Sequence, residues 1–117
     1  MTREFVIMPE FDRQWEKLGL SDDELRQLQE ALLENPKAGV VIRGTKGLRK
    51  LRIAFEGQGK SGSGRVAYID FTVHEQIYLI TAYPKKEKDN LTKAERNAIA
   101  KMIVLLEQGL KKQEVKK

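Results

Sequence analysis

The sequence predicts an α+β domain: a small antiparallel sheet with a helical hairpin before it and one long helix after it, in the order β-α-α-β-β-β-α. Three observations predict this. Apolar residues recur at helical spacing before residue 35 and again after residue 92. Between those stretches they alternate at the period of a strand. Two helix starts are marked, Ser21 with Glu24 and Thr92 with Glu95, at the spacing that lets each pair cap the other's backbone amides.

Glu4 to Met8 reads as a short first strand. Pro9 suits a first helical position, and Phe11, Trp15 and Leu18 follow on one helical face. Gly19 ends that helix and Ser21 begins the next, whose apolar stripe is Leu25, Leu28, Leu32 and Leu33. Asn35-Pro36 stops it. Gly39, Gly44 and Gly47 make 37–47 a loop. In the strand from Leu48 to Phe55, alternation sends Leu51, Ile53 and Phe55 to one face and Lys50 and Arg52 to the other. Four glycines in the nine residues from Glu56 to Gly64 mark a flexible connection. Strands Arg65 to Val73 and Gln76 to Tyr83 follow, joined by a tight turn. If Arg65 shares the charged face, Asp70 falls on the core face unless a bulge or an early strand end intervenes. Pro84 to Asn90 is a charged loop, and the last helix carries Ala98, Ile99, Met102, Ile103, Leu105, Leu106 and Leu110 on a wide apolar face. Helices should pack on one side of the sheet, leaving Lys50, Arg52 and Arg65 on the other.

The chain has 117 residues, enough for one domain that buries roughly two-thirds of its unfolded surface. That domain is expected over residues 1–110, with 111–117 a basic, frayed tail. There is no cysteine, which excludes disulfides and thiolate metal sites. With one histidine, His74, only carboxylates remain as metal ligands, so no metal and no cofactor is expected. The apolar run Phe5 to Met8 is too short for a signal peptide, and no stretch approaches a membrane span. The expected location is cytoplasmic, without membrane association.

The net charge of +5 is unevenly spread: −5 over residues 1–36, +7 over 37–65 and +3 over 66–117. A +7 block within a strand-forming region indicates a polyanion partner. Lys50 and Arg52 lie two apart on one strand face, Arg65 opens the next strand, and Lys85 and Lys86 follow the third. Adjacent strands lie about 5 Å apart, so these groups can converge on one phosphate. Arg49, Lys60 and Tyr83 flank the set as candidate RNA contacts, Tyr83 at an open strand end. RNA can be cut by its own 2′-hydroxyl, given a base, an acid and positive charge for the pentavalent transition state. For a cleavage reaction, which only a family resemblance implies, Lys50 is the first candidate base, Lys86 its competitor, and Arg52 and Arg65 the clamp. A two-histidine ribonuclease is excluded. Gly59-Lys60-Ser61 is not an NTPase phosphate loop, because Ala54 stands where the motif needs glycine.

The segments Asn35-Pro36-Lys37-Ala38-Gly39, Gly44 to Ile53 (GTKGLRKLRI), Gly57-Gln58-Gly59-Lys60 and Gly64-Arg65-Val66 resemble the RelE/ParE toxin superfamily, most nearly its HigB-type RelE-like toxins. The resemblance covers about residues 5–108. It implies a RelE-like fold and a metal-independent endoribonuclease, or mRNA interferase, that inhibits translation by cutting mRNA on the ribosome. It implies a cognate helix-turn-helix antitoxin through which the complex binds operator DNA. By the same resemblance, Lys50 and Arg52 match the family's paired basic residues, Arg65 its arginine on the following strand, and Lys86 or Lys85 its basic residue after the last strand. Many relatives also carry a tyrosine on the final segment; here none follows Tyr83. Two alternatives stand beside this reading: a ParE-like toxin that acts on DNA gyrase, which does not need the basic set together, and a non-catalytic RNA-binding module.

Overall fold

The computed structural model describes residues 2–54 and 63–115, with side chains as far as 113. Its elements are β1 (Glu4–Ile7), α1 (Pro9–Lys17), α2 (Asp22–Glu34), β2 (Val40–Val41), β3 (Arg49–Ala54), β4 (Ser63–Phe71), β5 (Gln76–Pro84) and α3 (Lys93–Val115). A 3-10 turn, Thr72–His74, with Glu75 in the left-handed conformation, links β4 to β5. The α+β class is observed, and so is the expected succession of elements apart from one added short strand, β2.

Both capping boxes form. Ser21 Oγ accepts from the Glu24 amide at 3.2 Å while Glu24 Oε1 accepts from the Ser21 amide at 3.0 Å. Thr92 and Glu95 do the same at 3.1 and 2.8 Å. Each box satisfies two amides that a helix start leaves unpaired. α3 remains helical as far as Val115, well into the basic tail.

The sheet has the order β1-β5-β4-β3-β2. It is mixed rather than antiparallel throughout, because β1 joins β5 in parallel, Glu4 opposite Gln76. β2 pairs antiparallel with β3 inside the stretch expected to be loop, and its Val40 and Val41 are exposed on the sheet edge. Two residues are too few to show a period, which is why alternation does not reveal this strand.

Helices cover both faces of the sheet, which corrects the expectation of one covered face. Phe11, Trp15, Leu28 and Leu32 of the first two helices pack with Val66, Tyr68, Ile77, Leu79 and Ala82. Ile103 and Leu110 of α3 pack with Ala67, Ile69, Phe71, Tyr78 and Ile80 on the opposite side. β4 carries the reason: it is apolar at odd and even positions alike, the pattern of a strand buried on both sides. Each buried Val, Leu, Ile or Phe among these contributes roughly 1.5–3 kcal/mol, so both layers are needed.

Asp70 does fall on the face of the first two helices, and β4 continues past it to Phe71. Arg3 resolves the conflict. Its Nε and a terminal nitrogen reach the two Asp70 oxygens at 2.8 and 3.3 Å, a two-pronged pair that is almost fully covered. The register shift between Ala67 and Tyr68 belongs to the β4–β5 pairing, with Ile80 the unmatched residue on β5. It places Ile80 on the α3 side and Ala82 on the other.

Candidate functional site

The register brings the sequence-derived cations together at one end of the α3 face. Arg52 stands directly opposite Arg65, and Lys50 opposite Ala67 two residues along. Arg65 is in turn opposite Tyr83 on β5. Alternation thus puts Lys50, Arg52 and Arg65 on the same side of the sheet, while Leu51 and Ile53 pack against the first two helices.

Their surroundings differ. Arg52 is exposed and makes no hydrogen bond or ion pair among the described residues. Lys50 is half-buried and donates from Nζ to Asn90 Oδ1 at 2.6 Å. The Arg65 side chain is only 2% exposed. One of its terminal nitrogens donates to Gly64 O at 3.0 Å and the other pairs with Asp89 Oδ1 at 2.5 Å. Asp89 and Asn90 belong to the loop between β5 and α3, so this loop folds back over the basic face.

Asp89 is the residue at this site that sequence reasoning missed. Burial raises its carboxyl, but the bond from Arg65, that guanidinium's charge, and the charges of Lys50 and Lys85 hold it below the ordinary carboxylate range. It is therefore an anion at neutral pH. The alternating signs of Lys86, Glu87, Lys88 and Asp89 read as an ordinary solvated loop. The one available signal was a carboxylate within a few residues of a strand end predicted to be basic.

Tyr83 corrects a second expectation. It is 3% exposed rather than open. Its hydroxyl is buried with no hydrogen-bond partner among the described residues. Burial pushes the phenol up to about 12, against the opposing pull of Arg65. Lys88 Nζ lies 5.3 Å from its ring centroid and also pairs with Glu95.

The flanking candidates divide. Lys85 and Lys86 are exposed just past Pro84, which itself pairs with Gly64. Lys85 is close enough for its charge to act on Asp89. Arg49 lies on the same side of β3 as Leu51, away from Lys50 and Arg52, and donates to Gly39 O at 2.7 Å and Lys37 O at 3.4 Å. It ties down the loop before β3. Lys60 lies outside the described residues. His74 sits in the turn after β4, with its ring 6.4 Å from that of Phe71, at the far end of the sheet from Arg65.

The described residues contain no group of three or more His, Cys, Asp or Glu placed to hold a metal ion. No helix among them is long and apolar enough to cross a membrane. The arrangement is chemically a cationic rim on a buried sheet, with one arginine presented outward, one held inward, and a lysine beside them.

Comparison with known proteins agrees with this architecture. A family model described as "RelE toxin of RelE / RelB toxin-antitoxin system" matches residues 7–117. Among solved structures, an E. coli toxin RelE, carrying two arginine-to-alanine substitutions and in the free state, superposes with a TM-score of 0.56 at 15% identity, over 89% of this chain and 99% of that one. At that identity, the structural likeness shows the fold.

Proposed function

The chain belongs to the RelE toxin family, and from that membership we propose that it inhibits translation as a ribosome-dependent endoribonuclease, in the HigB-type branch. The observation that carries the reading is the cross-strand pairing of Arg52 with Arg65, with Lys50 on the same sheet face.

In this reading the 2′-hydroxyl of one nucleotide attacks the adjacent phosphorus. Lys50 takes the hydroxyl proton, and Lys86 gives a proton to the departing 5′-oxygen. The P–O5′ bond breaks as the P–O2′ bond forms, leaving a 2′,3′-cyclic phosphate and a 5′-hydroxyl. Arg52 and Arg65 balance the charge that builds on the non-bridging oxygens, and Lys85 holds a neighbouring phosphate. No metal enters, because the nucleophile belongs to the substrate and the lysines move the protons. Tyr83, protonated and buried, stands beside Arg65 on the neighbouring strand rather than touching the RNA. The ribosome presents the mRNA strand, which makes the cytoplasm the place of action. The partner is a helix-turn-helix antitoxin, which blocks the toxin and carries the complex to operator DNA.

The test is induction of the gene without its antitoxin, with mapping of mRNA 5′ ends. Growth arrest with new 5′-hydroxyl ends inside coding regions is expected. Arg52→Ala should slow cleavage by about 100-fold, the loss typical of one transition-state contact, with its urea midpoint unchanged because the side chain is exposed. Arrested growth with intact mRNA would sink the nuclease reading and favour a gyrase-directed toxin.

A further inference from the structure

Arg65 cannot reach a phosphate in solution as it stands. Its side chain is 2% exposed, and the Asp89 carboxylate, itself 48% exposed, lies on the terminal nitrogen that faces the β5–α3 loop. The next residue, Asn90, takes the hydrogen bond of Lys50. Consecutive side chains of one loop thus engage both half-buried or buried cations of the site, and Arg52 is left unengaged among the described residues.

The engagement of Arg65 is incomplete. Asp89 bonds a single terminal nitrogen, while Nε of the same guanidinium is buried with no partner among the described residues. The buried Tyr83 hydroxyl, also without a partner, is near enough for the arginine's charge to act on it. A guanidinium offers Nε and one terminal nitrogen as a parallel pair of donors, which suits two oxygens on one centre. The two non-bridging oxygens of a phosphodiester have that geometry and the same single negative charge as Asp89.

We propose that Asp89 is a built-in competitor for the anion position on Arg65, so that a phosphodiester binds by displacing the Asp89–Asn90 segment from Arg65 and Lys50. The inference rests on the proposed reading of Arg65 as a phosphate clamp with Lys50 beside it in the site. Its consequence is selectivity by valency. A tethered carboxylate competes at high effective concentration, so a lone phosphate ion loses to it. An RNA strand wins because it also brings phosphates to Arg52, Lys85 and Lys86. The site is therefore closed to small phosphate metabolites and open to a polyanion.

The experiment titrates inorganic phosphate into the full chain and into Asp89→Asn, reading affinity by calorimetry. The substitution keeps the size of a half-exposed residue and removes its charge, and circular dichroism with urea unfolding of the variant checks that the fold is retained. Asp89→Asn is expected to bind phosphate about tenfold or more tightly than the unaltered protein, the scale of one removed like charge in a partly desolvated site. Backbone amides of Gly64 and Asn90 should shift in NMR spectra of the variant as phosphate is added. Equal affinity in the two proteins, or weaker binding by the variant, overturns the proposal. RNA cleavage on ribosomes is assayed separately with the unaltered protein. Its absence would remove the nuclease reading, while the phosphate titration would still decide whether Asp89 competes for the anion position.

Discussion

Arg52 and Arg65 are cross-strand partners, yet one is exposed and the other buried, and the difference divides their work. Arg52 can meet a ligand directly. Arg65 packs under a loop, so replacing it removes both a charge and a buried side chain. This makes Arg52 the cleaner position at which to separate chemistry from stability. Alternation in the sequence assigns both residues to one face, because Leu51 and Ile53 claim the other. It cannot show that Asp89, 24 positions further on, comes to rest on Arg65, since nothing local marks that contact. Tyr83 illustrates the same limit: a tyrosine at a strand end reads as open, and only the returning loop buries it. Its setting leads to a measurable pH effect. Tyr83 ionises at 10.0 when unconstrained and at about 12 in the fold. Below pH 10 both states keep the proton and stability is unaffected. As pH rises from 10 toward 12 the unfolded chain ionises first, and stability falls by about 2 kcal/mol. Urea unfolding across that window should show a shallower fall for Tyr83→Phe. A residual slope should remain, because burial also raises Tyr68 and Tyr78. An unchanged slope would mean that Tyr83 is solvated.

The stretch between α2 and β3 is held less by regular pairing than by one side chain. Tyr68, fully buried on β4, accepts from the Gly39 amide at 2.9 Å and donates to Pro36 O at 2.8 Å. Gly39 has no room for anything larger: a Cβ there would lie 2.9 Å from the Tyr68 ring and 3.0 Å from Lys50 O. Thr45, also buried, donates to Ile42 O at 2.5 Å and closes the turn before β3. Lys46 and Gly47 then take positive φ values of 61° and 107°. This anchoring sets where β3 begins, and hence which face Lys50 and Arg52 occupy. Tyr68→Phe should cost about 1–3 kcal/mol, since it strands a buried amide and a carbonyl while preserving the ring. Chemical denaturation measures this, and hydrogen exchange should show loss of protection at Gly39 first. A variant as stable as the parent, with Gly39 still protected, would contradict the account. The three glycines and Pro36 are visible as loop formers in the sequence. The tyrosine that organises them is not, because Tyr68 on its strand looks like sheet packing and its hydroxyl partners lie 29 and 32 residues away.

At the scale of the whole molecule, two helical layers enclose the sheet, and its basic end supplies the polar surface that the layers leave. The sequence makes the number and type of elements legible through period and caps. It does not reveal which side α3 takes, because a wide apolar helix face fits either side of a sheet. The doubly apolar β4 was the evidence for two layers. The charge distribution is equally readable, with the acidic N-terminal third opposed to the basic centre. If two phosphates of a single strand are neutralised, the scissile one at Arg52 and Arg65 and its neighbour at Lys85, affinity for RNA should fall with salt at a log–log slope of about −1.4. Anisotropy with an uncleavable oligonucleotide tests this, and a flat salt profile would exclude the basic rim as the binding surface. The strand order carries one further consequence. β5 is an inner strand, flanked by β1 and β4, although it is the last strand in the chain. Neither neighbouring strand can complete its pairing, and neither apolar layer its packing, until residues 76–84 have been made. The parallel partner of β1 lies about seventy residues downstream, so assembly is governed by long loop closure. A growing chain therefore holds Lys50 and Arg52 long before it can aim them. A truncated translation product ending before β5 would carry the basic residues without the strand that completes their setting, and in the proposed reading would not cleave RNA.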